Sequence, residues 1–332
     1  MKALVTGGSG FIGSHLVEGL LNRGYEVACL VRKDAKWLEK LPVELRRGDC
    51  GDPATLQGAI EGIDVVFHSA GLTKALRARD YHAVNDEGTK NLLQACIPHR
   101  KRIKKWIHVS SLACAGPSRD GLALKETDPC RPLTAYGRSK LAGERSVATH
   151  KDNFPVVIIR PPAVYGPRDG DFYPLFWLAQ YGFTIAPRKG ERTLSLCYVE
   201  DLVEGIILAA ESSMPSGSIY YLSEETAYSW NDVAGEIGRA VGRKITPLRV
   251  PSILLFLAAA ATEGLAFLTG RPPLLNRGKA LEMIQPHWVC NPSKAIKELG
   301  FRPKVPLSQG AQRTAAWYRE AGWLDDRPGR GG

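Results

Sequence analysis

The sequence predicts an α/β protein with a doubly wound parallel sheet and a smaller C-terminal α/β lobe. Short apolar strands alternate with amphipathic helices through the first half of the chain, which is the pattern of βαβ units. A glycine-rich turn joins the first strand to the first helix. The chain has 332 residues, 44% apolar and 23% charged, and this composition suits a globular protein of more than one domain.

The glycine-rich turn follows an apolar strand over residues 2–5 and precedes apolar residues at helical spacing over residues 14–21. Such a unit places backbone N–H groups and the positive end of a helix under a pyrophosphate. The spacing is G-x-x-G-x-x-G, so the dinucleotide fingerprint is met only approximately, and an ordinary glycine-rich turn is the alternative. The position of the turn favours a Rossmann-type dinucleotide site. The contacts expected there are Gly7, Gly10, Phe11, Ile12 and Gly13.

The next two strands end in charged residues that indicate how a dinucleotide would be bound. The predicted strand 26–31 ends at Arg32, and an Arg at this position accommodates the 2′-phosphate of NADP, whereas an acidic residue would hold the ribose of NAD. Arg32 therefore favours NADP over NAD, although it could also simply begin a loop. The predicted strand 43–47 is followed by Asp49, placed to bond the adenine amine, and by Cys50, a further expected contact.

A fourth predicted strand, Asp64–His68, ends in three small residues that let a cofactor approach the backbone closely. These residues are Ser69, Ala70 and Gly71. The remaining elements of the first half are a helix over residues 53–60 capped by Asp52, a helix over 81–93 and a strand over 103–109.

A candidate catalytic set follows the fifth strand. Tyr136 and Lys140 are four residues apart at the start of a predicted helix, so they share one helix face. A phenol titrates near pH 10, and a nearby ammonium is needed to favour its phenolate. Ser111, at the end of the fifth strand, would bond the same substrate oxygen. A Y-x-x-x-K pair alone is common on solvated helices, but the glycine turn and Ser111 favour the catalytic interpretation.

With these residues the chain resembles the extended short-chain dehydrogenase/reductase superfamily, within which it is similar to the NAD-dependent epimerase/dehydratase family. The resemblance covers nearly the whole chain, and its motifs stand in the family's order and spacing. These motifs are Thr6–Gly13, His68–Gly71, Asn85, Val109–Ser111, Tyr136–Lys140, Arg160–Pro167, Tyr198–Leu202, Lys294–Phe301 and Thr314–Tyr318.

The resemblance implies that Ser111, Tyr136 and Lys140 are catalytic. Tyr136 would exchange a proton with a substrate hydroxyl or carbonyl, and Ser111 would orient the substrate oxygen. Lys140 would lower the pKa of Tyr136 and hold the nicotinamide ribose. The segment from Pro161 to Val164 would line the nicotinamide, which transfers the hydride, and Asn85 would support the catalytic helix.

Two departures from the family's nucleotide-sugar epimerases and dehydratases bear on the substrate. Those enzymes usually carry an Arg where this chain has Leu194, and an Arg-x-Gly-Asp-like stretch where it has Met283–Val289. Both missing parts grip a diphosphate, for which Arg188 or Arg192 would be the substitute. The chain therefore resembles more closely the 3β-hydroxysteroid dehydrogenase-like and dihydroflavonol reductase-like members, which share the Arg-type cofactor end and an apolar substrate lobe.

Residues 250–268 form a strongly apolar stretch that Glu263 interrupts. Its uninterrupted run, Ile253–Ala261, is shorter than the roughly 20 residues that span a bilayer. We favour a buried helix that packs the substrate lobe. The alternative is an apolar lip over a hydrophobic substrate, with peripheral contact to a membrane surface.

The motifs also predict how the chain divides. Loops at 169–174 and 187–192 should border the substrate cleft, and the composition of residues 325–332 predicts a disordered tail. The predicted bounds are 1–165 plus return segments at about 198–224 for the Rossmann domain, and 166–197 plus 225–318 for the substrate-binding lobe.

Charge and cysteine content indicate the class of partner. The net charge is +10, but the basic residues are scattered apart from 100–105, so we expect no nucleic-acid partner; the charge would attract an anionic cofactor or membrane surface. The seven cysteines lack C-x-x-C or zinc-ligand spacing, which predicts no metal site and a reducing cytoplasm. No signal peptide is expected before the first strand. The family likeness implies a homodimer through helices near Leu92 and Leu141.

Three hypotheses for function follow. The leading one is an NADP-preferring oxidoreductase that interconverts a secondary alcohol and a ketone on an apolar small molecule. The alternative is a nucleotide-sugar epimerase or dehydratase that retains NAD. The third is a catalytically silent NADPH-binding sensor, against which the presence of Ser111, Tyr136 and Lys140 argues.

Overall fold

The computed structural model describes residues 1–187, 190–270, 272–273 and 275–325. It contains β-strands and α-helices, which are numbered here in chain order. The strands are β1 (Lys2–Thr6), β2 (Glu26–Val31), β3 (Glu44–Arg47), β4 (Val65–His68), β5 (Lys105–Val109), β6 (Val156–Arg160), β7 (Ala163–Tyr165), β8 (Phe183–Pro187), β9 (Thr193–Tyr198), β10 (Ser218–Tyr221), β11 (Ala227–Ser229), β12 (Thr246–Val250) and β13 (His287–Trp288). The α-helices are α1 (Phe11–Asn22), α2 (Gln57–Ile60), α3 (Ala78–His82), α4 (Gly88–Cys96), α5 (Ala135–Ala148), α6 (Tyr173–Ala179), α7 (Val199–Glu211), α8 (Trp230–Val241), α9 (Ser252–Thr269), α10 (Arg277–Met283), α11 (Ser293–Leu299) and α12 (Leu307–Glu320).

Seven strands of the described residues form one parallel sheet, in the spatial order β10-β6-β5-β4-β1-β2-β3. The strand order reverses direction at β1, from which β2 and β3 extend one way and β4, β5, β6 and β10 the other. This is a doubly wound Rossmann-type sheet, as the sequence predicted. The carboxyl ends of β1 and β4 lie side by side, with Thr6 in register with His68, and ligands of such sheets bind at this switch point.

Apart from its exposed edge strand β3, the sheet is largely buried on both faces, which explains why its inner strands are nearly continuous apolar runs. On one face Val5 and Phe67 pack with Leu16 of α1 and Ile206 of α7. On the other face the strands pack against α2, α4 and α5. Leu92 of α4 belongs to that second layer and is fully buried within the chain.

A second, mixed sheet holds the smaller lobe together. In this sheet β9 pairs in parallel with β7 and β13 and antiparallel with β11. Strands β8 and β12 pair in parallel as a separate two-stranded sheet. An aromatic core that includes Tyr165, Phe176, Tyr198 and Tyr318 fills the space between this sheet and helices α6, α8 and α12. The elements α7 and β10 return to the seven-stranded sheet between these segments.

Two helices differ in detail from the sequence-based expectation. The segment expected as one helix over 53–60 is a 3₁₀ turn, Pro53–Thr55, followed by the short α2, although Asp52 Oδ1 accepts from Ala54 N at 3.1 Å as its cap. The helix expected over 81–93 begins at Ala78 and passes through a π-helical turn, Ala83–Glu87. Such turns are frequent at functional sites, and this one carries Asn85.

The apolar stretch 250–268 is helical, but the expectation that it is buried is wrong. Within α9, Leu254, Leu257 and Leu265 are each more than half exposed, and Leu268 is 85% exposed. Helix α10 is the main neighbour of α9 and covers it on one side, so only the stripe with Leu255, Ala259 and Ala266 is buried. No helix in the described part of the chain is both long and apolar enough to cross a membrane. Arg188 and residues 326–332 of the expected tail lie outside the described residues.

A buried ion pair joins helix α5 to strand β6. Arg160 Nη2 donates to Glu144 Oε2 at 2.6 Å and Arg160 Nε donates to Glu144 Oε1 at 2.9 Å, with both side chains less than 5% exposed. The Cys114 thiol also donates to Glu144, at 3.0 Å. Two charges taken out of water are tolerated only with such complete pairing, so the pair fixes α5 against the sheet.

Replacing Glu144 by Leu is expected to lower the free energy of unfolding by about 3–5 kcal/mol, because it leaves the Arg160 guanidinium buried without its carboxylate. Urea unfolding followed by circular dichroism measures the change. The double variant Glu144→Leu/Arg160→Met should recover most of the loss, since it removes both charges. A single variant as stable as the wild-type protein would contradict the assignment.

Candidate active site

The carboxyl ends of β1, β4, β5 and β6 and the N-terminal ends of α1 and α5 meet at one edge of the large sheet. The glycine turn lies between β1 and α1. Gly7 has φ +73°, and a Cβ there would lie 2.7 Å from the backbone nitrogen of Ala70, so only glycine fits. A Cβ at Gly13 would overlap the carbonyl oxygen of Gly7. The turn is therefore a shallow cradle made of backbone.

This cradle suits an anionic group such as a pyrophosphate. Helix α1 begins at Phe11 with Gly10 as its N-cap, so no side chain caps its first turn. Arg168 lies beside it, donating to Ser14 Oγ at 3.1 Å and to Glu18 Oε1 at 2.7 Å. The Nε of Arg168 is buried and has no hydrogen-bond partner among the described residues. A helix N-terminus and an underused guanidinium together fit a dinucleotide phosphate, and the sequence analysis did not single out Arg168.

A hydrogen-bonded chain fixes the loop that follows β4. His68 Nδ1 and Nε2 bond the hydroxyls of Thr6 and Thr89 at 2.8 and 2.9 Å, and Ala70 N donates to Thr6 Oγ1 at 3.1 Å. Burial lowers the pKa of His68 to about 3, so the ring is neutral at physiological pH. The segment Ser69–Gly71 is thus held against the glycine turn.

The residues expected at the adenosine end lie together at the ends of β2 and β3. Arg32 Nη1 lies 3.8 Å from Asp49 Oδ2, and the two side chains are 70% and 48% exposed. Both can therefore reach a ligand. Cys50 is buried, and burial raises the pKa of its thiol to about 12, so Cys50 would contact a ligand through its backbone.

Helix α5 carries Tyr136 and Lys140 and lies unusually close to its neighbours. Thr134 caps it by accepting from Gly137 N at 3.1 Å. A Cβ at Gly137 would overlap the carbonyl oxygen of Ala113, and one at Gly143 would overlap the carbonyl oxygen of Asn85. Gly137 therefore allows the helix to touch the loop after β5, and Gly143 allows it to touch the π-helical turn that carries Asn85, in both cases backbone to backbone.

This close contact brings the candidate catalytic residues together. The Ser111 hydroxyl lies beside the phenol of Tyr136, and Ser111 Oγ accepts from Ala113 N at 3.1 Å. Burial raises the pKa of Tyr136 above its usual value, the nearby Ser111 hydroxyl opposes this, and the carboxylates of Glu282 and Asp171 add to it. The net direction is upward, opposite to the lowering expected from Lys140.

Lys140 is buried and points back into the sheet edge. Its Nζ donates to the carbonyl oxygen of Val109 at 2.7 Å. Loss of hydration lowers the pKa of Lys140 to about 8, while the Glu144 carboxylate partly opposes this shift. An ammonium held in this way has two further protons with which to bond a ligand or a neighbouring hydroxyl.

Asn85 connects the loop after β4 to the catalytic helix. Its Oδ1 accepts from Leu72 N at 2.7 Å, and its Nδ2 donates to Ser139 Oγ at 2.9 Å. The bond to Ser139 of α5 is the way in which Asn85 could give the catalytic helix the support that the family resemblance implied. Pro161, expected beside the nicotinamide, accepts from Leu112 N at 2.8 Å, while Val164 lies in β7 opposite Cys197.

A family model described as "NAD dependent epimerase/dehydratase family" matches residues 3–222. The chain belongs to this family. It is an NAD(P)-dependent enzyme of the extended short-chain dehydrogenase/reductase type, as the motifs predicted.

The chain is similar over nearly its full length to reductases and dehydrogenases. It is 31% identical to a ceramide reductase of Caulobacter vibrioides, over 96% of this chain and 95% of the relative. It is 28% identical to a 3β-hydroxysteroid dehydrogenase/Δ5→4-isomerase of Mycobacterium tuberculosis, over 96% and 90%. Among solved structures, the UDP-glucose 4-epimerase of Thermus thermophilus in complex with NAD matches with a TM-score of 0.78 and 27% identity, over 97% of this chain and all of that one.

In this epimerase/dehydratase family member, several side chains that no sequence motif marked lie close to Tyr136 and to the start of its helix. The Tyr81 ring lies 6.0 Å from the Tyr136 ring between centroids. Thr134 Oγ1 donates to Glu282 Oε1 at 3.1 Å, which joins α10 to the start of the catalytic helix. Asp171, within the loop expected to border the cleft, pairs with Lys74. Chain segments far apart in sequence supply these residues, so periodicity could not find them.

Neither Leu194, at the position of the family's diphosphate-binding Arg, nor its expected substitute Arg192 is free to bind a diphosphate. Arg192, the expected substitute, donates to the carbonyl oxygens of Gly190 at 3.1 Å, Met283 at 3.2 Å and Pro187 at 3.4 Å. Leu194 packs in the aromatic core of the smaller lobe. Arg192 therefore serves to hold backbone segments together.

Replacing Lys140 by Met is expected to raise the free energy of unfolding at pH 7 by about 2 kcal/mol, because the variant removes a buried charge at the cost of one hydrogen bond. The native pKa of about 8 lies below the usual 10.5, so the unfolded chain binds more protons between these pH values. The stability of the wild-type protein then rises with pH across this window. The advantage of the variant should be complete below about pH 8 and vanish near pH 10.5.

Urea titrations at pH 7, 9 and 10.5 measure this difference, with Lys101→Met as the control because Lys101 is exposed. A Lys140→Met variant less stable than the wild-type protein at pH 7 would show that the ammonium stabilises the fold.

Proposed function

We propose that the protein is an NADP-preferring oxidoreductase that reduces a ketone, or oxidises the matching secondary alcohol, on an apolar lipid-like molecule. The observation that carries the proposal is the grouping of three side chains: the Ser111 hydroxyl lies beside the phenol of Tyr136, and the buried Lys140 lies one helical turn further along α5. The names of the two matched relatives, a ceramide reductase and a 3β-hydroxysteroid dehydrogenase, support apolar substrates.

The residues at the sheet edge have distinct tasks in this reaction. The nicotinamide of the cofactor gives or accepts the hydride when bound. Tyr136 Oη gives its proton to the ketone oxygen, and Ser111 Oγ donates a second hydrogen bond to the same oxygen. The ammonium of Lys140 lies on the same helix face and stabilises the phenolate that proton transfer leaves behind.

The pKa of Tyr136 sets its protonation state at this site. Burial raises this pKa, and the carboxylates of Glu282 and Asp171 add to the rise, so the phenol carries its proton at neutral pH. Tyr136 gives this proton to the oxygen in ketone reduction and takes it back in alcohol oxidation, so the same group serves both directions of the reaction.

The preference for NADP rests on Arg32. Its side chain is 70% exposed and its one ion pair among the described residues, with Asp49, is long at 3.8 Å. The guanidinium can therefore turn to a 2′-phosphate without breaking a strong bond. A nucleotide-sugar epimerase fits less well, because Arg192 is engaged with carbonyl oxygens and Leu194 replaces the diphosphate-binding Arg.

Replacing Tyr136 by Phe is expected to lower kcat for ketone reduction by about a thousandfold, because the proton donor is lost. The dissociation constant of NADPH, measured by fluorescence titration, should stay within about twofold. Tyr81→Phe is the matched control, since it removes a hydroxyl from the neighbouring ring and should leave most of the turnover. Retained turnover in the Tyr136 variant would refute the mechanism.

Replacing Arg32 by Ser is expected to raise KM for NADPH about tenfold or more and to leave KM for NADH unchanged, because only the phosphate contact is lost. Lys33→Ala provides the comparison at the adjacent basic residue and should change either KM much less. Equal changes for both cofactors, or near-stoichiometric NAD released on denaturing the freshly purified protein, would favour the epimerase alternative.

A further inference from the structure

We propose that helix α9 is a docking surface for an anionic bilayer and that it brings the mouth of the active site to the membrane. The idea that the enzyme takes its substrate from the bilayer rests on the proposed function. The docking surface itself rests on the exposure and charge of α9 and its neighbours.

One face of α9 presents only apolar side chains to solvent. Its members recur every three or four residues from 254 to 268, with one adjacent pair at 257 and 258, so they form one stripe about 21 Å long at 1.5 Å per residue. They are Leu254, Leu257, Ala258, Ala261, Leu265 and Leu268, all exposed. The opposite stripe, with Leu255, Ala259 and Ala266, is buried. An exposed apolar stripe of this length marks an interaction surface in a protein that is otherwise normally packed.

The apolar surface continues into the strands that precede α9. Strand β12 leads into α9 through Pro251, and β8 is its parallel partner. Leu248 and Ile185 are in register and 43% and 36% exposed, and Phe183 is 40% exposed. Of the fourteen exposed large apolar side chains in the described part of the chain, ten lie between Trp177 and Leu268. The concentration in one region argues against random surface scatter.

The charge of this region complements an anionic surface. Residues 243–283 contain six basic and two acidic residues, a net charge of +4. Both acidic residues have partners: Glu263 pairs with Arg277 at 2.6 Å, and Glu282 accepts from Thr134. Lys244 and Arg249 are exposed and have no carboxylate within 4 Å among the described residues. Exposed leucines flanked by cations are the pattern of peripheral membrane segments.

The same charge argues against a second copy of the chain as the partner. Pairing α9 with α9 across a two-fold axis would bring two regions of net charge +4 together, and like charges repel. Anionic lipid headgroups would neutralise these cations while the acyl region takes up the leucines.

The docking surface is mechanically connected to the catalytic helix. Glu263 of α9 accepts from Arg277 N at 2.8 Å, at the start of α10. At the other end of α10, Glu282 bonds Thr134, the N-cap of the helix that carries Tyr136. A bilayer against α9 would therefore lie one helix away from the reacting residues, and an apolar substrate would enter without crossing water.

Vesicle flotation with the full-length protein tests the proposal. The wild-type protein should float with vesicles of phosphatidylcholine and phosphatidylglycerol at 3:1, and the partition coefficient should be about tenfold lower for pure phosphatidylcholine. Leu257→Glu/Leu265→Glu should lower binding to the anionic vesicles at least tenfold, because it places charges in the apolar stripe. Leu122→Glu is the matched control, since Leu122 is 71% exposed on a different part of the chain.

The double variant should keep its NADPH affinity and its turnover of a water-soluble ketone, which separates loss of docking from loss of folding. The proposal is overturned if the wild-type protein does not float, or if the double variant floats as well as the wild-type protein does. It is also overturned if the wild-type protein is a dimer that the double variant converts to a monomer and neither binds vesicles. A wild-type protein that binds anionic vesicles but reduces no ketone would refute the proposed function and leave the docking surface established.

Discussion

The active site depends on how closely helix α5 approaches the edge of the sheet. Gly137 and Gly143 leave no Cβ between the helix and the carbonyl oxygens of Ala113 and Asn85. Only at that separation can the phenol of Tyr136 meet the Ser111 hydroxyl and Lys140 Nζ reach the carbonyl oxygen of Val109. Any side chain at either glycine would push the helix outward, and both contacts would be lost together.

The same close packing removes charged groups from water, which costs free energy of folding. The ammonium of Lys140 and the ion pair of Glu144 with Arg160 of the adjacent strand β6 are all withdrawn from water at helix α5. The ion pair is satisfied within the protein, which fixes the helix, whereas Lys140 has a single hydrogen-bond partner, a carbonyl oxygen, among the described residues. A buried charge with unused hydrogen-bonding capacity is the usual condition of a group that completes its bonds with a ligand.

The sequence predicted the elements whose signals are local. The glycine turn, the buried parallel strands and the spacing of Tyr136 and Lys140 follow from short-range patterns, and the sheet and the family are as predicted. The rise in the pKa of Tyr136 was not predictable, because it comes first from burial in the folded chain and then from Glu282 and Asp171, which lie on distant segments. Arg168 was missed for the same reason. The exposure of α9 was misjudged because hydropathy indicates that a helix is apolar without indicating which of its faces the rest of the chain covers.

The exposed helix and the reactive edge make one physical arrangement. Leaving several leucines in water costs free energy that a purely water-borne enzyme would gain by burying them. The cost is reduced when the helix rests against a surface that is itself apolar. A ketone carried on a lipid has the same preference, since its chains also leave water for that surface. Because α10 joins α9 to Thr134 at the start of the catalytic helix, only one short helix separates the apolar helix from the residue Tyr136 that needs a dry substrate.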